Sequence, residues 1–391
     1  MKITKIECVP LFYPAGKPSY NGIGKSGGRP LLLVRVYTDT GLVGIGEAAT
    51  YGGPMVSTAT VIEREIAPAI LGEDPLNLER IWHKCYFGAF QHARSGIYIC
   101  ALSGVDIALW DLVGKALGQP IYKLLGGYRD RIQTYASGGF YQQGKDARAL
   151  AEELCGYADL GFQAVKMKIG RTERPLSVGE LSDSYLECHY TMEEDLARVE
   201  TARKALGKEV KLMVDANAAF TYPDALEAGR FFDSLGVYFF EEPLRTDDYE
   251  GSARLAAALD TRVAGYETEQ LLGNYARMIQ MRAVDLVQPD LSWAGGFTEC
   301  RKIAAVAGAA YMECAVHTFS SAILLAASLQ FSCGIPNGAM VEYDMTENAL
   351  RTELLTEPIL PDQNGVVVLG DRPGLGIELD EAVVERYRVT M

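Results

Sequence analysis

The sequence predicts an α/β barrel of the (β/α)8 type that follows a smaller α+β domain. Eight short apolar segments lie between residues 132 and 342, and most are separated by a stretch that fits one helix and two loops. Three consecutive segments end in an acid, at a constant spacing of 26 residues. The N-terminal third instead shows alternation followed by helical periodicity.

Residues 1–128 are expected to form the α+β domain. Segments 31–37 and 43–47 alternate around Thr-Asp-Thr-Gly, which predicts an antiparallel hairpin. Residues 14–28 are rich in Gly, Lys, Ser and Pro and predict a loop that is mobile until a ligand orders it over the site. Residues 101–117 have helical spacing and are followed by Gly-Gln-Pro, which predicts a helix that ends there.

Residues 129–363 are expected to form the barrel. Its predicted strands are 132–136, 164–169, 211–215, 237–241, 262–266, 284–288, 310–316 and 339–342. The second interval is longer because the polar segment 171–191 is interpreted as an inserted loop. The tail, residues 364–391, returns to alternation with a Pro-Gly-Leu-Gly turn, so we expect it to pack back on the first domain.

Composition narrows the classes of partner. The 391 residues carry a net charge of −14, which argues against nucleic acid and anionic membranes as partners. No signal peptide and no apolar run of transmembrane length is visible. None of the eight cysteines forms a Cys-x-x-Cys pair, which is typical of reduced, buried thiols in a cytoplasmic protein.

The evenly spaced acids are Asp215, Glu241 and Glu267. Because parallel strands of a barrel present their C-terminal ends at one rim, these carboxylates are expected to converge there. Hard oxygen ligands of this kind suit Mg2+. The alternative is that the strands simply end in acids on solvated loops.

Two lysines, Lys166 and Lys168, lie on one face of the second predicted barrel strand. Buried together they need anionic partners, and desolvation plus the neighbouring cation would lower the pKa of a lysine towards that of a general base. The alternative is a solvated strand.

On strands six and seven, Asp290 and His317 are expected to meet, since a carboxylate on one ring nitrogen fixes the imidazole tautomer. Glu342 ends strand eight at the same rim.

Taken together, these residues resemble the pattern of the enolase superfamily and, within it, the mandelate racemase group. The resemblance covers nearly the full length of the sequence. The residues that carry the resemblance are 101–111 (Ala-Leu-Ser-Gly-Val-Asp-Ile-Ala-Leu-Trp-Asp), 124–127 (Leu-Leu-Gly-Gly), Lys166, Lys168, 215–217 (Asp-Ala-Asn), 241–243 (Glu-Glu-Pro), Glu267, Asp290 and His317. The resemblance implies a modified TIM barrel, (β/α)7β, under a capping domain made by the N-terminal region and the tail. It also implies one Mg2+ and abstraction of the proton alpha to a substrate carboxylate.

The resemblance further implies a role for each residue. The metal ligands would be Asp215, Glu241 and Glu267; the catalytic residues would be Lys168, His317 and Asp290; the substrate contacts would be Lys166, Glu342 and Asn217. Residues 285–300 contain no lysine, unlike the muconate-lactonising group. Tyr266 stands where a glycine is frequent, and the 171–191 insert is longer than usual, so relatives are a weaker guide to the substrate.

Several functions stay open. The resemblance favours a cytoplasmic dehydratase of carbohydrate catabolism, a lyase that converts an aldonate or aldarate to a 2-keto-3-deoxy acid. The same lysine and histidine would serve a racemase or epimerase, or a cycloisomerase of sugar lactones. A non-catalytic, metal-stabilised binding protein is the alternative from another class. The expected partners are a small-molecule carboxylate and further copies of the chain, from dimer to octamer.

Overall fold

The computed structural model describes residues 1–50, 54–171 and 189–391. Residues 172–188 of the expected insert, and residues 51–53 of the loop beside Thr50, lie outside this description. The strands are β1 Ile3–Tyr20, β2 Lys25–Thr38, β3 Val43–Ala48, β4 Arg131–Ser137, β5 Ala164–Lys168, β6 Lys211–Asp215, β7 Phe239–Glu241, β8 Arg262–Gly265, β9 Leu286–Val287, β10 Glu313–Cys314, β11 Val341–Asp344 and β12 Val366–Val368.

The helices of the first domain are α1 Met55–Val61, which continues through a π-turn at Ile62–Ile66 into α2 Ala67–Ile70, then α3 Leu78–Gly88, α4 Ile97–Leu117 and α5 Ile121–Leu124. Those of the second part are α6 Ala147–Asp159, α7 Met192–Leu206, α8 Tyr222–Leu235, α9 Tyr249–Ala256, α10 Leu271–Met281, α11 Gly296–Ala309, α12 Ala322–Gly334, α13 Ala349–Thr352 and α14 Glu381–Tyr387.

The N-terminal sheet has the antiparallel order β1-β2-β3. The prediction of a loop at residues 14–28 is wrong, because β1 and β2 extend through it as a two-stranded ribbon. Its pairs include Pro14 with Gly28 and Tyr20 with Lys25, and the register shifts between Pro14 and Ser19. The ribbon reverses at Asn21, whose side-chain oxygen accepts hydrogen bonds from the backbone N–H groups of Ile23 and Gly24.

The barrel is a curled parallel sheet in the order β10-β9-β8-β7-β6-β5-β4-β11. A parallel bridge between Cys314 and Gly338, with a hydrogen bond from the Ala339 N–H to the Cys314 carbonyl, closes the ring. Among the described residues, a helix follows each of the first seven barrel strands, from α6 after β4 to α12 after β10. The fold is therefore the predicted (β/α)7β barrel with an N-terminal α+β domain.

Helix α4 is the core of the first domain and is buried along most of its length. It is long and apolar enough to cross a membrane by composition, yet it is almost wholly enclosed by the protein. Gly44 and Gly46 of β3 lie so close to α4 that a Cβ at either position would overlap the backbone of Gly104 or Ala108. These glycines serve close packing of a strand on a helix.

The C-terminal tail contacts both parts of the molecule. Strand β12 pairs antiparallel with β4 of the barrel. Further along, the Ile121 N–H donates to the Gly374 carbonyl, and Arg388 bridges to Leu11 of β1. The tail therefore ties the N-terminal sheet and α5 to the outside of the barrel.

Candidate active site

The rim at the C-terminal ends of the barrel strands carries a row of charged side chains. The strand register aligns Lys168 of β5 with Asp215 of β6, and Asp215 with Glu241 of β7. Glu267 follows β8 on the next strand along. All four side chains are buried, so their charges act on one another through little water.

The chain turns sharply just after these strands. Asn217, Ala218, Glu242 and Tyr266 all have positive φ values of 47°, 63°, 38° and 72°, in the left-handed region that side chains rarely adopt. The carboxylate of Glu242 accepts hydrogen bonds from the N–H groups of Tyr266 and Glu267, each 3.2 Å long. Strained residues next to three strand-end acids are typical of a functional rim.

The two lysines are held by this acidic row. Lys166 Nζ lies 2.6 Å from Glu241 Oε1, 2.9 Å from Glu342 Oε1 and 3.6 Å from Asp215 Oδ2. Lys168 Nζ forms a short ion pair with Asp215. Burial acts to lower the pKa of Lys168, but Asp215, together with Glu267 and Glu241, outweighs it and raises that pKa above its usual value. The expectation that Lys168 has a lowered pKa is therefore wrong for this arrangement of the site.

The acids carry more negative charge than the lysines balance. Burial, followed by repulsion from Asp215, raises the pKa of Glu241 to about 8. Burial and the neighbouring carboxylates also raise the pKa of Glu242 well above its usual range, and burial raises that of Glu267. Asp215 is the exception, because Lys168 and Lys166 overcome the effect of burial and lower its pKa.

A hard divalent cation fits this set of donors. Asp215, Glu241 and Glu267 offer carboxylate oxygens at one rim and lack sufficient positive charge. Within the described residues, no three His, Cys, Asp or Glu side chains already stand in a metal-ligand arrangement. The physical reason is visible in the ion pairs, since Lys168 occupies Asp215 and Lys166 occupies Glu241.

His317 and Asp290 meet at this rim, as the sequence predicts. His317 Nδ1 is 2.7 Å from Asp290 Oδ2, and the other oxygen of Asp290 accepts bonds from the N–H and hydroxyl of Ser292. His317 Nε2 lies 3.4 Å from Glu267 Oε2. Burial lowers the pKa of His317, but Glu267 and Asp290 together raise it to about 10, so the imidazole holds its proton here.

The remaining predicted contacts reach the same rim. Glu342 accepts a hydrogen bond from the Thr318 N–H, and Lys166 holds its pKa below the usual range despite burial. The backbone N–H of Asn217 donates to Asp215 Oδ1, whereas its buried side-chain oxygen has no hydrogen-bond partner in the part of the chain that the structure describes. All nine predicted site residues are thus buried in one region of the barrel mouth, apart from the slightly exposed edge of His317.

Family models match nearly the whole chain. The N-terminal domain of mandelate racemase and muconate lactonizing enzyme matches residues 10–126, and the enolase C-terminal domain-like model matches residues 146–383. The chain belongs to the mandelate racemase/muconate lactonizing enzyme family. It is 37% identical to the arabinonate dehydratase of Saccharolobus solfataricus over 358 residues, which cover 92% of this chain and 90% of the relative.

A second relative and a solved structure extend the comparison. The D-galactarolactone cycloisomerase of Agrobacterium fabrum is 33% identical over 401 residues, covering 100% of this chain and 99% of the relative. The crystal structure of a racemase from Streptomyces coelicolor A3(2) with bound magnesium has a TM-score of 0.86 and 28% identity. It covers 99% of this chain and 100% of the racemase. Similar proteins within the family therefore carry different reaction names.

In this family member, a cavity of about 650 Å3 connects the rim with the N-terminal sheet. Its walls contain His317 and Asp290 from the barrel, and Arg29 and Glu47 from the N-terminal domain. Sequence reasoning missed both of the latter. Neither stands in a pattern that predicts a site, because each projects from an ordinary strand of the first domain and reaches the cavity only through domain packing.

The tip of the β1–β2 ribbon is held over the mouth of the barrel in this family member. The N–H and carbonyl of Tyr20 exchange hydrogen bonds with Tyr141, and Arg171 Nη1 donates to the Asn21 carbonyl. Gly22 sits against the backbone of Ala216, directly after the strand that ends in Asp215. The N-terminal domain therefore forms the roof of the site.

Proposed function

We propose that this protein is a Mg2+-dependent lyase that removes the proton alpha to a carboxylate and dehydrates an acid sugar, an aldonate or aldarate, to a 2-keto-3-deoxy acid. The observation that carries the proposal is the presence of Lys168 on the second barrel strand and of His317, bonded to Asp290, on the seventh, beside a row of buried carboxylates. Two proton-transfer groups beside one rim of carboxylates that suits a divalent cation fit an alpha-proton reaction.

Asp215, Glu241 and Glu267 would hold the Mg2+, whose charge would stabilise the carboxylate oxygens as negative charge develops on them. Lys166, between Glu241 and Glu342, places a second cation beside the same oxygens. Asn217, beside Asp215, and Glu342, beside Lys166, would orient the substrate carboxylate. Binding of the cation by Asp215 would also weaken the ion pair that now raises the pKa of Lys168, so that more of its amine would be in the neutral form that a general base needs.

The two proton-transfer steps are then divided between Lys168 and His317. Lys168 or His317 takes the proton from C2, and protonated His317 gives a proton to the hydroxyl that leaves C3 as water. The resulting enol becomes the 2-keto-3-deoxy acid. Asp290 keeps the His317 ring oriented and stabilises its charged form.

Two related reactions remain as alternatives. Without a leaving group at C3, the same two bases would racemise or epimerise C2. The second alternative is cycloisomerisation, in which the alpha-proton is removed from a sugar lactone. Full-length similarity to a galactarolactone cycloisomerase favours it. A metal-stabilised binding protein would have no need for a histidine set by a buried aspartate.

A screen for keto-acid product tests the proposal. The Mg2+-loaded enzyme is incubated with a library of aldonic and aldaric acids, and 2-keto acids are detected as semicarbazones. At least one acid should give product, and chelation of the metal or the His317→Asn substitution should abolish it. Absence of both keto acid and alpha-deuterium exchange across the library would refute an alpha-proton function.

A further inference from the structure

Arg29 is a buried cation whose donors face the cavity. It belongs to β2 of the N-terminal domain and is 9% exposed. Its Nη2 donates to the Thr346 hydroxyl. None of the described residues accepts a hydrogen bond from its Nε or Nη1, and the cavity runs alongside it. Most of the guanidinium fork is thus available to a ligand.

Aromatic packing fixes the orientation of this fork. The guanidinium carbon lies 4.4 Å from the centroid of the Phe319 ring, which stacks on Phe140 at 5.5 Å. Stacking uses the face of the guanidinium and leaves its N–H edges free for hydrogen bonds. Arg29 is therefore preorganised, which reduces the entropy cost of binding a planar anion.

The same aromatic pair relates Arg29 to the catalytic groups. Lys168 Nζ lies 5.8 Å from the Phe319 centroid, and the His317 ring lies 6.5 Å from it. Arg29, Lys168 and His317 thus surround one ring, with Arg29 on the side of the roof. A sugar acid whose first carboxylate sits on the acidic rim would extend its far end towards Arg29.

Among the described residues, neither of the two acids near Arg29 accepts a hydrogen bond from it. Asp344 Oδ2 lies 3.9 Å from Nη2, which is too long for a hydrogen bond although it balances charge. Glu347, on the same segment, accepts a hydrogen bond from the Tyr13 hydroxyl instead. A bidentate carboxylate is the group that this geometry matches best.

We propose that Arg29 binds the second carboxylate of the substrate, so that the preferred substrates are aldarates, the sugar diacids, rather than aldonates. This inference rests on the proposed function, because it names the substrate class of the same site. Arg29 would act on specificity and would not take part in proton transfer.

Matched pairs of acids test it. Each pair, such as galactarate with galactonate or glucarate with gluconate, shares its carbon skeleton and stereocentres and differs only in whether the last carbon is a carboxylate. The wild type should have the higher kcat/KM for the diacid. Arg29→Gln should lower kcat/KM for the diacid about 10- to 100-fold, as loss of charge-assisted hydrogen bonds implies, and leave the monoacid nearly unchanged.

Two further variants distinguish the bidentate geometry of the Arg29 guanidinium from the effect of a positive charge alone. Arg29→Lys keeps the charge without the bidentate geometry and should recover only part of the preference for the diacid. Lys5→Gln removes an exposed cation of β1 in the same N-terminal sheet, outside the wall of the cavity, and it should leave the preference intact. A wild-type preference for monoacids, equal loss on both acids in Arg29→Gln, or an equal effect of Lys5→Gln would overturn the proposal.

Failure of the dehydratase proposal would look different. If neither acid of any pair yields keto acid, calorimetric titration of wild type and Arg29→Gln with the same pairs decides the role of Arg29. Affinity lost for diacids alone supports it, whereas equal or absent binding of both acids by wild type overturns it. Melting temperatures of each variant establish that the fold is retained.

Discussion

The carboxylates at the rim are now paired with lysines, and these lysines occupy the oxygens that the proposed cation would bind. Lys168 and Lys166 now neutralise Asp215 and Glu241, while burial and repulsion raise the pKa of Glu241 to about 8. A divalent ion would satisfy the same oxygens and release the amines. Binding of the proposed metal would therefore change the charge distribution of the site, which gives a direct test of the ligands.

The metal prediction is that Asp215→Asn and Glu267→Gln each weaken Mg2+ binding at least about tenfold, because each removes one charged oxygen ligand. Isothermal titration calorimetry of the purified variants measures this. Glu313→Gln is the matched control, since Glu313 is an exposed acid at the beginning of a barrel strand. Wild-type affinity in both rim variants would show that the ligands are assigned wrongly.

At this scale the sequence predicted which residues meet, but not their charge states. Regular spacing places Asp215, Glu241 and Glu267 at one rim because parallel strands share a direction. The raised pKa of Lys168 depends on the distance to Asp215, which spacing alone does not contain. Arg29 was missed for a related reason, since only the packing of two domains brings it to the cavity.

Among the elements, the β1–β2 ribbon departs most from expectation. Its Gly, Ser, Lys and Pro residues are typical of loops, yet paired backbones over Pro14–Gly28 and Tyr20–Lys25 make it a sheet extension. Cross-strand pairing and packing against the barrel decide such a ribbon, so the composition of its residues predicts it poorly. Residues 14–28 are also predicted from their composition to be mobile until a ligand binds. That mobility stays a prediction, now for a paired ribbon whose tip contacts the barrel.

Substitution at the ribbon tip should impair the site selectively. A Cβ at Gly22 would overlap the Ala216 carbonyl oxygen, so Gly22→Ala should displace the tip and lower kcat/KM about tenfold or more, with little change in global stability. Gly27→Ala is the matched control, because a Cβ there meets nothing within 4 Å. Equal kinetics of the two variants would mean that the tip does not position the roof.

Glu47 of β3 gives the fold a pH-dependent link to the barrel. Its carboxylate accepts hydrogen bonds from the Ser321 hydroxyl and the Leu324 N–H at the beginning of α12, and burial raises its pKa to about 7. Because the folded state keeps this proton longer than the unfolded chain, Glu47 contributes stability below pH 4.5. That contribution is lost as the pH rises towards and through 7.

The expected result is that wild type loses up to about 3 kcal/mol relative to Glu47→Gln between pH 5 and pH 8, since the amide cannot ionise. Urea unfolding at a series of pH values measures the difference between the two proteins. Parallel pH curves for wild type and Glu47→Gln would contradict the assignment of this proton to Glu47.

Across the whole molecule, α4 connects the N-terminal domain with the barrel and the tail. Asp106 of α4 accepts bonds from the N–H and hydroxyl of Thr298 in the first turn of α11. Asp111 accepts from the N–H of Ile45 in β3 and from the N–H of Leu375 in the tail. Buried acids spaced along one helix thus hold three parts of the chain together.

Loss of this connection should destabilise the entire protein. Asp111→Asn weakens the bonds to Ile45 and Leu375 and removes the charge that pairs with Lys115, so the free energy of unfolding should fall by about 2 to 4 kcal/mol. Chemical denaturation measures it. Asp371→Asn, which removes only an exposed pair with Lys123, should change stability by less than about 1 kcal/mol. Equal effects would contradict the role given to Asp111.

The architecture was predictable because its signals are periodic. Eight apolar segments and the intervening helices specify the barrel, and the strands at 211–215 agree with β6 to the residue. Others are much shorter than their apolar runs, as at β9 and β10, because only two residues of each run form ladder pairs with a neighbouring strand. The path of the tail, by contrast, depends on contacts such as Arg388 with Leu11 that no local pattern contains.

The central claim is that Lys168 and His317 exchange the alpha-proton of a bound carboxylate from opposite faces. The most direct test is NMR measurement of deuterium incorporation from solvent at C2, with both C2 epimers of an accepted acid, for wild type and two variants. Lys168→Ala should lose exchange for one epimer and keep it for the other, and His317→Asn should show the reverse pattern. Wild-type exchange of both epimers in either variant would contradict the claim.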